Sequence, residues 1–170
     1  MSSFRRKGTW GGYGTKLILA LSALMVTGLA FASRYRIGVD MQRTTSLPYH
    51  LYLIDLQNHV LKRGALYTFS ARGLEPIYPE GTRMIKQLVG LPGDAIRIDP
   101  HHRIFINGKV VGKGLPLAKQ LRLSASHLQG RTILALNHYW FLGQHLRSLD
   151  SRYFGAVTGD QIIGRAYALV

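Results

Sequence analysis

The sequence predicts a mainly β fold, an antiparallel barrel or sandwich, behind one apolar N-terminal helix. Three observations point there. Short apolar or alternating runs recur from residue 51 to residue 169, punctuated by Gly and Pro. An Asn107-Gly108 pair lies between β-forming residues, the arrangement a tight hairpin demands because both turn positions need φ > 0. Residues 17–33 carry no charged side chain and come after Arg5, Arg6, Lys7 and Lys16.

The 170 residues suffice for one domain with a real core and an appendage. With 46% hydrophobic and 18% charged residues, a wholly disordered chain is excluded. No fixed-period repeat is present. The count of 0 Cys excludes disulfides, thiolate zinc sites and cysteine nucleophiles. Lys and Arg number 22 against 8 Asp and Glu, a formal charge of +14. That charge attracts anionic headgroups or nucleic acid and does not choose between them.

Residues 1–16 read as a basic cytoplasmic tail and residues 17–33 as a membrane anchor or a cleavable signal. As an anchor, the run is near the lower limit of about 17 residues, extended by a snorkelling Lys16 and by Trp10 and Tyr13 at the interface. As a signal, it has a basic start, a short apolar stretch and the small-x-small site Ala30-Phe31-Ala32. Both readings export the remainder of the chain. A buried globular helix fits less well with the uniform apolarity. Residues 34–45 read as a linker and residues 46–170 as the folded domain. Within it, residues 51–54, 66–69, 84–89, 95–98, 132–136 and 162–169 read as strands, and residues 103–111 as a hairpin. Residues 112–130 read as a loop carrying a short helix that starts near Ser124 or Ser126. Turns, not helical crossovers, separate the strands, so the sheet is expected to be antiparallel.

Phosphate-binding, dinucleotide, H-E-x-x-H and G-x-S-x-G signatures are absent from the sequence. The 7 His are scattered, and adjacent His101 and His102 would point to opposite faces of a strand, so no metal or other cofactor is expected. Three segments stand out. The first is Thr44-Thr45-Ser46-Leu47-Pro48; alone, Ser-x-Pro is a turn. The second is Met84-Ile85-Lys86-Gln87-Leu88-Val89, a strand with one Lys, followed by Gly90-Leu91-Pro92-Gly93-Asp94. Alternation puts Met84, Lys86 and Leu88 on one face. Taken alone, Lys86 also fits an edge-strand lysine with a wet ammonium. The third is Ser148-Leu149-Asp150-Ser151-Arg152-Tyr153-Phe154-Gly155, which alone is a polar loop with Asp150 paired to Arg152 or capping a turn.

Together, in this order, the three segments resemble the boxes of the bacterial type I signal peptidases, Ser/Lys serine peptidases of the inner membrane. Lys86 to Asp94 is similar to the Lys-x-x-Val-Gly-Leu-Pro-Gly-Asp box, and Ser148 to Gly155 to the C-terminal box. The resemblance implies a mostly β catalytic domain on the outer, periplasmic face of the cytoplasmic membrane, cutting exported precursors after small residues. It implies Ser46 as nucleophile and Lys86 as general base, neutral at working pH because burial depresses its pKa. It further implies an oxyanion site from the Ser46 N–H and the Thr44 hydroxyl, Ser148 bonded to Lys86, and Asp150 with Arg152 organising the loop. The substrate would add as an extended strand at a sheet edge near Ser46.

Departures from the housekeeping pattern are Thr45 before Ser46, the run Ser46-Leu47-Pro48-Tyr49, and Leu142-Gly143-Gln144-His145 before the C-terminal box. With the short chain, these look like the TraF-type conjugative-transfer peptidases, which implies a propilin substrate and a conjugative secretion apparatus as partner. Two other readings stay open. One is an inactive assembly factor; the other is a basic nucleic-acid- or membrane-binding component. Residues 47–170 carry 15 Lys and Arg against 7 Asp and Glu, but the charges are dispersed and no nucleic-acid motif is present, so no nucleic-acid partner is expected. Dispersed positive charge suits a domain held against anionic cytoplasmic-membrane lipids.

Overall fold

The structure is a computed structural model and describes residues 10–41 and 45–170. The chain divides after Tyr35, the first residue of strand β1 (Tyr35–Val39), into a helical unit and a β unit.

The helical unit is α1, Trp10–Arg34, of 25 residues. At 1.5 Å per residue it is about 37 Å long, more than the roughly 30 Å of a hydrocarbon core. Its stretch Gly12–Arg34 is long and apolar enough to cross a membrane. Every described side chain along it is exposed, so no core of its own unit takes up its Leu, Ile and Val. The helix begins at Trp10, not at residue 17: Tyr13, Thr15 and Lys16 continue the same hydrogen-bonded turns although they break the apolar run.

The β unit contains, in chain order, β1 Tyr35–Val39, β2 Leu51–Asp55, β3 Leu66–Ser70, β4 Arg83–Gly90, β5 Ala95–Ile98, β6 Arg103–Ile106, β7 Lys109–Lys113, β8 Gly130–Ile133, β9 His138–Leu142, the short helix α2 Ser151–Phe154, β10 Val157–Thr158 and β11 Ile162–Ala168. One sheet has seven strands in the order β1-β2-β11-β3-β4-β9-β10; the other has four, β7-β6-β5-β8. The strand pairs from β2 onward are antiparallel, as the short turns between strands require. The C-terminal strand lies in the middle of the large sheet, paired to β2 on one side and β3 on the other.

Alternation sets the faces. Along β4, Met84, Lys86, Leu88 and Gly90 are buried while Ile85, Gln87 and Val89 are partly exposed. Met84 and Leu88 join Tyr67, Phe69, Phe141 and Val157 in one core. A second core lies under the small sheet, where Ile96, Ile98, Ile104 and Ile106 meet Trp140, Leu142 and Tyr153. Strand β9 serves both: Phe141 turns to the first core, Trp140 and Leu142 to the second. The Asn107-Gly108 turn forms as expected, with φ of 50° and 81° joining β6 to β7.

The Gly-Leu-Pro-Gly-Asp turn is held by its last residue. Asp94 Oδ2 accepts from Leu91 N–H at 2.6 Å and from Arg63 at 2.7 Å. Its Oδ1 accepts from Asn107 Nδ2 at 2.6 Å. One carboxylate thus ties the end of β4 to the hairpin of the small sheet.

Several elements differ from expectation. The segment read as a linker contains β1, whose residues are mostly exposed and carry little apolar alternation. Residues 112–130 hold no helix; between β7 and β8 they run through successive turns. The strand expected at 132–136 is β8, 130–133: Leu134 N–H bonds Asp94 O, and the chain turns at residues 136–137. Strands β9 and β10 and helix α2 are not expected from the sequence. Too few residues separate β9 from its neighbours to show a period, and α2 is a single turn.

Phe141 is fully buried, with ring centroids 4.8 Å from Phe69 and 6.4 Å from Tyr67. Phe141→Ala is expected to lower stability by about 3–5 kcal/mol, measured by urea unfolding of the full chain in detergent. A loss below about 1 kcal/mol would mean that the site collapses around the truncation.

Candidate active site

Lys86 stands in the middle of β4, its Cα paired with Tyr67 on β3. It is 6% exposed. Ser46 precedes β2 in a bend, anchored by Leu47, which is buried in a third cluster with Tyr52, Ile54 and Ala166. Lys86 Nζ and Ser46 Oγ are hydrogen-bond partners. Burial lowers the Lys86 pKa from 10.5 to about 8, more than the carboxylates of Asp150 and Asp40 raise it, and the Arg152 charge lowers it further. A strand position between apolar neighbours gives a dry amine, and the bend at Ser46 presents a hydroxyl to it.

The backbone of Ser46 is fixed as firmly as its side chain. Its carbonyl accepts two N–H groups, from Gln144 at 2.8 Å and from His145 at 3.1 Å. These amides lie just past the end of β9, so that strand holds the chain at Ser46. No backbone hydrogen bond from Ser46 N–H is found among the described residues.

The 143–152 loop is built around one ion pair. Asp150 is fully buried and caps α2. Its Oδ1 accepts from the Arg152 N–H and Nε at 3.2 and 2.8 Å, and its Oδ2 from Arg152 Nη2 and Gly143 N–H at 2.8 and 2.9 Å. The guanidinium also reaches the carbonyls of Gly114, His145, Leu146 and Ser148. Burial works against the charge on Arg152, but the hydrogen bonds and charge of Asp150 outweigh it and raise its pKa. Leaving either partner of such a pair alone costs about 3–5 kcal/mol. The loop therefore has one tight arrangement, and that arrangement sets the two amides on the Ser46 carbonyl.

In the sequence Gly143 is one residue of the Leu142-Gly143-Gln144-His145 run, and the geometry shows why a glycine belongs here. A Cβ at this position would lie 2.1 Å from Ser148 Oγ, 2.5 Å from Ser148 Cβ and 3.0 Å from the Ser46 carbonyl oxygen. Only a residue without a side chain lets the loop close on Ser46. In the sequence it is a glycine at the end of an apolar run, indistinguishable from an ordinary turn.

The structure brings Ser46 and Lys86 into contact, with Asp150 and Arg152 beside them. Ser148 departs from expectation. It is buried, but its Oγ has no hydrogen-bond partner among the described residues, so it does not bond Lys86. Its hydroxyl packs against Gly143 instead. Asp150 likewise spends its oxygens on Arg152 and Gly143 and acts on Lys86 through charge alone. Thr44 lies outside the described residues.

Comparison with known proteins points to one family. Residues 11–170 match the family profile for "Signal peptidase, peptidase S26". A probable signal peptidase I-2 of a Synechocystis strain is 23% identical over 163 residues, which span 94% of this chain and 72% of that protein. Signal peptidase I P of Bacillus subtilis subsp. natto is 25% identical over 173 residues, 95% of this chain and 88% of its own. Signal peptidase I of Pseudomonas fluorescens is 29% identical over 119 residues, 50% of this chain and 42% of its own. A solved signal peptidase I from Enterococcus faecalis is 23% identical, with a TM-score of 0.39 over 65% of this chain and 97% of that one.

Two outcomes are expected from this geometry. Gly143→Ala should cost about 1–3 kcal/mol through overpacking, and Ser148→Gly in the same chain should restore most of it, both read by thermal unfolding. Lys86 holds its proton less tightly in the folded chain than in the unfolded one. The unfolded chain therefore binds more protons between pH of about 8 and 10.5, and stability should rise with pH across that window. Lys86→Met should remove this rise; a Met variant that keeps it would place the titrating group elsewhere.

Proposed function

This chain belongs to the signal peptidase family S26 and is a serine peptidase hydrolase, and on that premise we propose that Ser46 and Lys86 are its catalytic pair. The observation that supports this most directly is the contact between Lys86 Nζ and Ser46 Oγ in a setting dry enough to bring the amine's pKa to about 8. A serine hydroxyl is a weak nucleophile until a base takes its proton. A lysine can be that base only when neutral.

The substrate's scissile carbonyl carbon approaches Ser46 Oγ. The new C–O bond forms as the hydroxyl proton passes to Lys86 Nζ, and the carbonyl π electrons move to oxygen. The backbone N–H of Ser46 lies on the attacking residue itself and donates to that oxyanion. The Thr44 hydroxyl is the second donor in this reading. The intermediate collapses, the C–N bond breaks, and Lys86 returns its proton to the leaving amine. A water then gives a proton to Lys86 as its oxygen adds to the acyl ester; the ester C–O bond breaks while Lys86 returns that proton to Ser46 Oγ, which frees the new carboxyl end and restores the pair. Asp150, Arg152 and Gly143 are positioning residues: they hold the amides that fix the Ser46 carbonyl. No cofactor takes part in these steps.

The exported precursor enters as an extended strand beside Ser46, its small side chains passing the bend. We take α1 as the membrane anchor, with the β unit on the periplasmic face of the cytoplasmic membrane. Within this reading the substrate is a propilin and the setting a conjugative secretion apparatus. The residues that support it are those departing from the housekeeping boxes: Thr45, Ser46-Leu47-Pro48-Tyr49, and Leu142-Gly143-Gln144-His145.

Ser46→Ala and Lys86→Ala are each expected to lower cleavage of a precursor at least 10³-fold while the chain keeps its cooperative unfolding, as loss of a nucleophile or its base does. In the wild type, log rate should rise by one per pH unit up to about 8 and then level off, because only the neutral amine accepts the proton. Cleavage by either variant at the wild-type rate, or a rate flat between pH 6 and 9, contradicts the pair. Co-expression with a propilin and with an ordinary secretory precursor, followed by mass spectrometry of both, tests the substrate: cleavage of only the ordinary precursor removes the conjugative assignment.

A further inference from the structure

Strands β8 and β10 are edges of different sheets: β8 closes the small sheet and β10 ends the large one. A cleft of about 480 Å³ runs along the inner side of β8 to the segment that leads into β10. Ile98, Leu128, Leu134 and Trp140 line it, with His127 and His138 as polar members. All four residues of β8 are exposed. Its backbone pairs with β5 on one side, and among the described residues no further backbone hydrogen bond of residues 131–133 is found. An edge with one row of free N–H and C=O groups is a template for another strand.

The opposite face of β8 is cationic. Arg131 is the direct cross-strand partner of Arg97, a like-charged pairing that disfavours the strand pair unless an anion lies between or beside the two. The Arg97 guanidinium rests on the Phe105 ring, 3.8 Å from its centroid, and no carboxylate pairs with either arginine among the described residues. Ile133, 65% exposed, borders the cleft. Free edge, apolar cleft and paired arginines thus recur on one strand in the period of a β ladder.

We propose that β8 is a second peptide-binding edge, away from Ser46, that takes an extended segment with apolar residues facing the cleft and acidic residues facing Arg97 and Arg131. The added strand completes the backbone ladder of β8. Its inward side chains fill the cleft beside Trp140, and its outward carboxylate lies across from Arg131 and neutralises the arginine pair. A nucleic-acid strand fits this face poorly, because the Phe105 ring is covered by Arg97 and offers no surface for base stacking. Lipid headgroups would meet the arginines but leave the cleft and the backbone edge unfilled. The floor of the cleft includes Ser151, Arg152 and Tyr153 of α2, so an occupant touches the element that holds the 143–152 loop from behind.

The test uses the full chain in detergent and a fluorescein-labelled synthetic peptide of alternating Val and Glu, read by anisotropy. Saturable binding is expected, weakened at least tenfold in Arg131→Glu and in Arg97→Glu, and recovered in those variants when Lys replaces Glu in the peptide. That recovery also shows the variants to be folded. Methylating the peptide's alternate backbone nitrogens on the ladder side should abolish binding. Ser46→Ala should bind the peptide as the wild type does, which separates this edge from the catalytic pair. Equal binding of Glu and Lys peptides to the wild type, undiminished binding of the methylated peptide, or binding only of phosphatidylglycerol vesicles would overturn the proposal.

Discussion

A basic group held out of water is the constraint around which the rest is arranged. Lysine prefers to be a hydrated cation, and β4 denies Lys86 that hydration by placing it between Met84 and Leu88, across from Tyr67. The two nearby carboxylates pull the other way, yet burial prevails and the pKa falls to about 8. A surface lysine on the same strand would stay charged and chemically idle near neutral pH. Cost and chemistry thus come from one cause: the desolvation that destabilises the ammonium is what leaves an amine free to receive a proton.

The second requirement is a fixed partner, and it is met from the other end of the sequence. Two amides of the 143–152 loop grip the Ser46 carbonyl, and a buried Asp150–Arg152 pair sets the shape of that loop. Such a pair contributes little net stability compared with apolar packing, but it tolerates few alternative geometries. Strand β9 carries the loop and is shared by both cores, so packing in either one reaches Ser46 through Gly143.

Much of this was legible in the residues. The Asn-Gly turn and the alternation along β4 report local backbone demands, and the structure keeps both. The proximity of Ser46 to Lys86 rested on the resemblance of three short boxes, since no local rule joins residues so far apart. The carbonyl clamp was not legible, because it uses backbone N–H groups that every residue possesses. Gly143 stood out only as part of a run that departs from the housekeeping pattern; its role is empty space, which a sequence does not mark. Ser148 shows the opposite error. A hydroxyl at a boxed position suggested a hydrogen bond, and the loop instead uses that residue for packing. Strand β1 hid inside an apparent linker because an edge strand with exposed faces has no apolar rhythm.

The placement of β11 makes one strand the bridge between the two parts of the large sheet. Its residues 162–168 fill the gap between β2 and β3, next to the strand that carries Lys86. Contacts so remote in sequence form late, since long loops must close first. Until β11 is in place the large sheet is open between β2 and β3, and β2, the strand that follows Ser46, is cut off from β4, the strand that carries Lys86.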